Sequence, residues 1–217
     1  MIRNGQILSP VQKLIIRYAV LKKGGAVVKK KEFTKHRIAQ ALKKINETMP
    51  LRAITVKHIV DFCGINRGTF YYHFYDKQEL INWIYHVEIT VPTRTALEGE
   101  PQGWKRISDF GLQVMYENRE FYMQALRLPG ENTLSDYIRR EIEGNWALMA
   151  ERYIAMCGPG VPAGYVGFYT SFMASGAHAM LIKWVEGGMK EKPKEMARLL
   201  NGIQDAGLRS LAAKETD

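Results

Sequence analysis

The chain has 217 residues, of which 46% are hydrophobic and 24% are charged, and these values are typical of a folded globular protein rather than a disordered one. No stretch of about 18 uncharged apolar residues occurs, so the sequence predicts no membrane-spanning helix. The net charge of +9 is unevenly placed, because residues 1–75 carry 15 Lys and Arg against 3 Asp and Glu, whereas residues 76–217 carry 16 against 19. The positive excess of the first third predicts an anionic partner, either a nucleic acid or a membrane surface.

The cysteines, histidines and glycines show no pattern typical of an enzyme. Cys63 and Cys157 stand apart in apolar surroundings, which suits small buried side chains in a reducing cytosol. Polar residues interrupt the one N-terminal segment that could act as a signal peptide, so the expected location is the cytoplasm. The serine-hydrolase elbow, the phosphate-binding loop and the zinc-protease motif do not occur, and the five histidines have no metal-ligand spacing. We therefore expect no enzyme activity, no metal and no cofactor.

Helical periodicity recurs along almost the whole chain, while alternating strand patterns are nearly missing, so the sequence predicts an all-α protein. The first predicted elements are an amphipathic helix at 10–23 and a flexible basic linker over 22–32. Thr34 is predicted to cap the next helix, which should end near Met49 and Pro50.

Two short helices joined by a three-residue turn follow. Thr55 is a predicted N-cap for VKHIVDFC, and Gly64 suits the left-handed turn that ends this helix. Asn66 is predicted to cap a second short helix that runs to about Tyr75. A short helix, a turn containing glycine and another short helix are typical of a helix-turn-helix.

A longer helix and five further helices complete the predicted fold. Asp76 and Glu79 form a capping box for the longer helix, which should end before Pro92. Segments LPGENT and CGPGVPAG provide the clearest breaks in the rest of the chain. The remaining helices are predicted near 102–118, 119–128, 133–157, 162–186 and 193–213.

The segment GINRGTFYYHFYDK, residues 64–77, combines five aromatic rings with groups that bind anions. Phe70 and Phe74 share one helix face and are expected to pack on Ile59 and Phe62 in the core. The other residues suit DNA: Arg67 offers a planar donor fork, Gly68 permits close backbone approach, and Thr69 offers a hydroxyl and a methyl group. Hydrogen bonds to phosphates are expected from Tyr71, Tyr72, His73 and Lys77, although for Tyr72 a structural role remains equally open. The pattern predicts a helix that enters the major groove.

The stretch TVKHIVDFCGINRGTFYYHFYDKQELINWI resembles the DNA-binding module of the TetR family of bacterial regulators. The matching positions are Gly64, Ile65, Gly68, Thr69, Phe70, Tyr71, His73, Phe74, Asp76 and Lys77. The resemblance implies base contacts from Arg67, Gly68 and Thr69, and phosphate contacts from Tyr71, His73 and Lys77. It also implies contacts to the backbone or a base from Thr55 and Lys57 at the start of the preceding helix. The predicted DNA-binding set is Thr55, Lys57, Asn66, Arg67, Gly68, Thr69, Tyr71, Tyr72, His73 and Lys77.

In this family the C-terminal helices form a ligand pocket and a dimer interface, which implies a homodimer, a palindromic double-stranded operator and an unidentified effector. The candidate pocket residues are Trp83, Met115, Phe121, Trp146, Met149, Phe172 and His178, although most apolar residues of this part are expected in the core. Small residues at 171–180 predict close helix packing at a core or dimer seam, where His178 could equally be a structural histidine. Segment 184–196 resembles a loop of the DhaS-like branch, the activators of dihydroxyacetone kinase genes, which raises the possibility of a protein effector.

The sequence thus predicts a basic N-terminal extension at 1–33, a helix-turn-helix domain at 34–80 and a helical effector-binding and dimerisation domain at 81–217. The favoured function is a dimeric DNA-binding repressor modulated by an effector. One alternative is an activator of the DhaS-like type that acts with a protein coactivator. Another is a membrane-surface or protein-interaction module that uses the basic N-terminus, but a DNA-contacting arm is favoured because the charge continues into the helix-turn-helix.

Overall fold

The computed structural model describes residues 26–99, 104–157 and 163–212. These residues form helices and connecting turns and contain no β-strand, which confirms the all-α prediction. The helix predicted at 10–23 lies outside the described residues. The helices are α1 (Ala26–Asn46), α2 (Val56–Cys63), α3 (Arg67–His73), α4 (Lys77–Tyr85), α5 (Val91–Gly99), α6 (Trp104–Glu117), α7 (Arg119–Leu126), α8 (Leu134–Cys157), α9 (Ala163–Glu186) and α10 (Pro193–Ala212).

Helix α1 begins earlier than the sequence predicts. It starts at Ala26, so Thr34 lies inside the helix and its predicted role as a cap is wrong. The flexible linker predicted over 22–32 is also wrong for residues 26–32, the part of it that the structure describes. The segment after Gly25 contains no helix-breaking residue until the end of α1. The Lys35 ammonium also lies 5.4 Å from the ring centroid of Phe74 and 5.5 Å from that of Trp83. These tertiary contacts stabilise helical backbone where like charges alone would favour an open chain.

The caps of the helix-turn-helix form as predicted. The Thr55 side chain accepts a hydrogen bond from His58 N at 3.3 Å, and His58 Nδ1 accepts one from Thr55 N, so the start of α2 is closed reciprocally. Gly64 ends α2 with φ 64°, a left-handed conformation that a side chain would disfavour. Asp76 accepts from Glu79 N at 2.7 Å at the start of α4, but the Glu79 carboxylate accepts from Tyr75 N rather than from Asp76 N, so the predicted capping box forms only in part. Local sequence therefore sets where these helices begin and end.

The helix after the capping box does not end before Pro92, so that prediction is wrong. A π-helical segment, His86–Thr90, joins α4 to α5, and Pro92 lies within the first turn of α5. Proline lacks the N–H that an α-helix would use and its ring crowds a carbonyl of the preceding turn. The wider π turn shifts the hydrogen-bond pattern at this point, which lets the chain stay helical through the proline.

The described chain forms two compact units. The first contains the chain up to Pro92 together with Arg127–Asn132, and the second contains Thr93–Leu126 and the chain from Thr133 onward. In the first unit α1 packs on α2, α3 and α4. Its core consists of fully buried aliphatic and aromatic side chains: Ile38, Leu42, Leu51, Ile54, Ile59, Phe70, Phe74, Leu80 and Ile81. The predicted domain limits at 34–80 and 81–217 stay a prediction.

The second unit contains the helices whose limits the sequence predicted most closely. Helices α6 to α10 begin and end within two residues of the predicted positions. Helix α8 packs along α9, and α10 packs against α6 and α8. One core cluster joins Trp146, Met149 and Ala150 of α8 to Tyr169 and Ala174 of α9. Among the described helices, none has the length and hydropathy needed to cross a bilayer.

Candidate DNA-binding surface

Asn66 fixes the start of α3 and engages one of the predicted base-reading residues. Its Oδ1 accepts hydrogen bonds from Thr69 N at 2.7 Å and from Thr69 Oγ1 at 3.0 Å. A Cβ atom at Gly68 would lie 3.3 Å from that same oxygen, which is a tight contact, so glycine leaves room for the cap. The Thr69 hydroxyl proton is thus used within the protein, and contact with a base would use the hydroxyl oxygen or the methyl group.

The two faces of α3 separate the aromatic rings as predicted. Phe70 and Phe74 are fully buried. Tyr71 and Tyr72 are 55% and 70% exposed, which is unusual for large rings and leaves them accessible to a partner. Phe62 was predicted in the core and is 58% exposed, so that prediction is wrong. The reason is its angle on α2, because the buried face of this helix is centred on Ile59 and Val60.

Arg67 and Lys57 differ in how their charges are engaged. The Arg67 side chain is exposed, and the described residues offer its guanidinium no hydrogen bond or ion pair. Lys57 pairs with Asp61 one turn along α2, with Nζ and Oδ2 3.0 Å apart and both side chains exposed. Such exposed pairs contribute little stability and open easily. Contacts of Lys57, Thr55 and Asn66 with DNA stay predictions.

Lys77 has a structural role that the sequence did not reveal. Its Nζ donates to Leu51 O at 2.8 Å and to Ile54 O at 2.7 Å, and the side chain is half-buried. Burial lowers the pKa of the Lys77 ammonium. Two of its three N–H groups therefore hold the turn at Leu51–Ala53 against the start of α4. The predicted phosphate contact stays a prediction for the one remaining N–H.

His73 lies beside two lysines that the sequence did not single out. Burial lowers the pKa of His73, the charges of Lys35 and Lys31 lower it further, and Glu32 opposes them. His73 Nδ1 is buried and has no hydrogen-bond partner among the described residues. The Lys31 ammonium lies 5.3 Å from the centroid of the Tyr72 ring. The signal that could have found these lysines is the continuation of the basic run into α1.

The candidate pocket residues are not all brought together. Trp83 belongs to the first unit, where its ring lies 5.7 Å from that of Phe74 and 5.0 Å from that of His36. Phe172 is 67% exposed on α9, because its face of that helix has no partner helix among the described residues of one chain. A pocket role for these two residues stays a prediction.

The other candidates lie in the second unit. Trp146 and Met149 share the core cluster of α8 and α9, and Met115 and Phe121 are buried elsewhere in this unit. His178 Nε2 lies 3.2 Å from Ser135 Oγ and 3.1 Å from Ser135 O, and burial lowers the pKa of this histidine. A pocket role for these five residues stays a prediction.

Comparison with known proteins gives the same two-part division of the chain. Residues 47–84 match the model of the bacterial regulatory proteins of the tetR family, and residues 102–205 match a transcriptional regulator C-terminal region of TetR type. No curated protein sequence matches the chain.

Solved structures share the fold at low sequence identity. The dihydroxyacetone kinase operon activator DhaS aligns with 83% of this chain and 98% of its own, with a TM-score of 0.66 and 17% identity. A Clostridium perfringens protein, provisionally described as a fatty acid metabolism regulator, aligns with 82% of this chain and 100% of its own, with a TM-score of 0.50 and 20% identity. With both family models in order along the chain and a helix-turn-helix at the first of them, the chain belongs to the TetR family of transcriptional regulators.

Proposed function

We propose that this regulator is a homodimeric repressor that binds a palindromic operator through α3 and releases it when an effector binds to the second unit. The observation that carries the proposal is the outer face of α3. Gly68 and Tyr72 are exposed there beside Thr69, on the side of the helix opposite the buried rings of Phe70 and Phe74. Arg67 adds an exposed guanidinium at the start of the helix. This combination suits base edges flanked by phosphates.

Exposed apolar rows on two helices of the second unit support a dimer. Phe168 and Phe172 on α9 are stacked with ring centroids 6.3 Å apart, and Leu199 and Ile203 form a second pair one turn apart on α10. Large apolar side chains exposed at helical spacing favour burial against another copy of the chain. A two-fold dimer would place two copies of α3 about one DNA turn apart, as a palindromic site requires.

Repression is the favoured sign of regulation, because a protein bound over a promoter excludes polymerase without any further contact. The likeness to an operon activator, DhaS, makes activation with a protein coactivator the second candidate. The two differ in a reporter assay: deletion of the gene should raise transcription from the bound promoter under repression and lower it under activation. A DNA-bound regulator of this kind would act in the cytoplasm and would need no enzyme activity.

Selection of DNA by the purified protein tests the proposal directly. From a random-sequence duplex library, the wild-type protein should select a palindrome with half-sites about 10 base pairs apart. Binding should weaken steeply with salt, since each neutralised phosphate contributes a slope of about 0.9. The Arg67→Ala variant should select nothing. Enrichment of no common sequence by the wild-type protein would contradict the proposed function.

A further inference from the structure

The second turn of α1 places a lysine beside α3. Lys31 is exposed, and its ammonium lies 5.3 Å from the centroid of the Tyr72 ring, within the distance for a cation–π contact. The same ring lies edge-on to His73, with centroids 5.0 Å apart. Lys31 lies 41 positions before Tyr72 in the sequence, so this contact depends on the packing of α1 beside α3.

Tyr72 lies on the face of α3 that is proposed to read DNA. It follows Gly68 by four positions and Thr69 by three, so all three residues share one side of the helix. The four-residue step from Gly68 carries Tyr72 about 6 Å along the helix axis. The ammonium of Lys31 is therefore held at the edge of the base-reading face, where the backbone of a bound duplex would pass.

The charges around this ammonium favour an anion. Lys35 and Lys31 both act on His73 and lower its pKa beyond the effect of burial, and among the described residues Glu32 is the acidic group that opposes them. A phosphate bound beside Tyr72 would therefore be attracted by both ammonium groups. Lys77 is less available for this purpose, because two carbonyl oxygens already hold its ammonium.

We propose that Lys31 is a further DNA-binding residue, whose ammonium binds a backbone phosphate of the operator while the Tyr72 ring holds it in place. The proposal rests on the proposed function, since it assumes that α3 enters the major groove. It assigns Tyr72 a positioning role that the sequence left open. The early start of α1 is needed for this contact, because a helix that began at Thr34 would not include Lys31.

The test compares two lysines of α1 that differ in their surroundings. Lys31→Gln should weaken binding to a duplex carrying the selected site about 8-fold per protomer at about 0.1 M KCl, and should lower the salt slope by about 1. Lys44→Gln is the matched control, because it removes the same charge at the other end of α1, where Lys44 pairs with Glu47 at 2.6 Å. Equal effects of the two substitutions on affinity would overturn the proposal, because they would reflect net charge alone.

The positioning role of Tyr72 is tested in a double-mutant cycle. Tyr72→Phe keeps the ring and should preserve the effect of Lys31→Gln, whereas Tyr72→Leu removes the ring and should reduce that effect to less than about 2-fold. Circular dichroism checks that each variant is folded. An undiminished Lys31→Gln effect in the Tyr72→Leu protein would overturn the positioning role.

Two further arms separate the possible failures. If wild-type protein selects an operator that Arg67→Ala does not bind, but Lys31→Gln binds it like wild type, the proposed function stands and the Lys31 proposal is wrong. If no operator is selected, both are wrong. Vesicles of phosphatidylcholine with about one third phosphatidylglycerol test the other anionic partner. Loss of vesicle binding by Lys31→Gln with unchanged operator binding would assign the lysine to a lipid surface and overturn the proposal.

Discussion

In the first unit the exposed rings of Tyr71 and Tyr72 share their surface with Arg67 and Lys31, whereas the exposed apolar side chains of the second unit lie in rows. On α9 the exposed neighbours of Phe172 are small and uncharged: Ser175, Gly176 and Ala179. Rings interleaved with cations suit a polyanion, because the ring offers a flat surface and the cation neutralises a phosphate. The uncharged row on α9 suits another protein surface. Exposed aromatic residues thus indicate different partners according to the charges beside them.

A charge placed in the uncharged row of α9 should have the largest effect of the substitutions considered, because it would make this surface unsuitable for a second protein. Phe172→Glu should leave the fold of one chain intact, because the side chain is 67% exposed. In the proposed dimer it would bury two carboxylates, which costs several kcal/mol and should weaken dimerisation at least about 100-fold. Sedimentation velocity would measure the dimer, and operator binding should fall with it.

A second charged variant provides the control for this prediction. Lys194→Glu changes an exposed residue in the first turn of α10, where an acidic side chain is tolerated next to the helix N-terminus. It should leave the dimer unchanged. A Phe172→Glu protein that remains dimeric would show that the α9 row faces something other than a second copy.

Two lysines of the first unit, Lys77 and Lys31, should differ in their contribution to the stability of the fold. Lys77→Met keeps the aliphatic part of the side chain but leaves Leu51 O and Ile54 O without their donor, so the free energy of unfolding should fall by about 1–3 kcal/mol. Lys31→Met should change it by less than about 0.5 kcal/mol. Urea unfolding measures both. Unchanged stability of Lys77→Met together with weaker operator binding would show that Lys77 acts mainly at the DNA and not in the fold.

The smallest expected effect concerns one half-buried histidine in each unit, His36 and His178. Burial lowers the pKa of His36 in the first unit, although the charges of Glu32 and Glu88 raise it in part. Burial also lowers the pKa of His178 in the second unit. The unfolded chain takes up its proton at about pH 6.5, above the folded pKa. Stability from the neutral ring is therefore complete above about pH 6.5 and is lost as the pH falls towards the folded pKa.

Denaturant titrations at about pH 7.5 and pH 5.5 would detect this loss. His36→Gln and His178→Gln should each lose less stability on acidification than the wild-type protein does. If both variants showed the wild-type pH dependence, other groups, His73 or carboxylates among them, would control the acid sensitivity. A change confined to one variant would identify the unit that responds to pH.

The sequence predicted best what depends on neighbouring residues. The caps at Thr55, Asn66 and Asp76 and the left-handed Gly64 each involve partners within a few positions. Such contacts are present in the local pattern, and so is the buried pair Phe70 and Phe74 at helical spacing. The all-α fold followed from helical periodicity along the chain, and the family followed from residues 55–84.

Contacts between distant segments could not be predicted in this way. Lys77 meets carbonyls 26 and 23 positions earlier. Lys31 reaches Tyr72 only because α1 packs beside α3, and no periodic pattern contains that crossing. Phe172 is 67% exposed although apolar rings are usually buried, because the described residues of one chain do not cover its face of α9. The pattern shows which residues are apolar and not which partner covers them.

The most direct measurement of the central claim is the effect of Thr69→Ala on the affinity for every single-base variant of the selected operator. If the outer face of α3 reads bases, the variant should lose discrimination at one or two base pairs of each half-site, by about 1–3 kcal/mol, and keep it at the others. A uniform loss of affinity across all operator variants would contradict base reading by α3 and leave that helix as a phosphate contact alone.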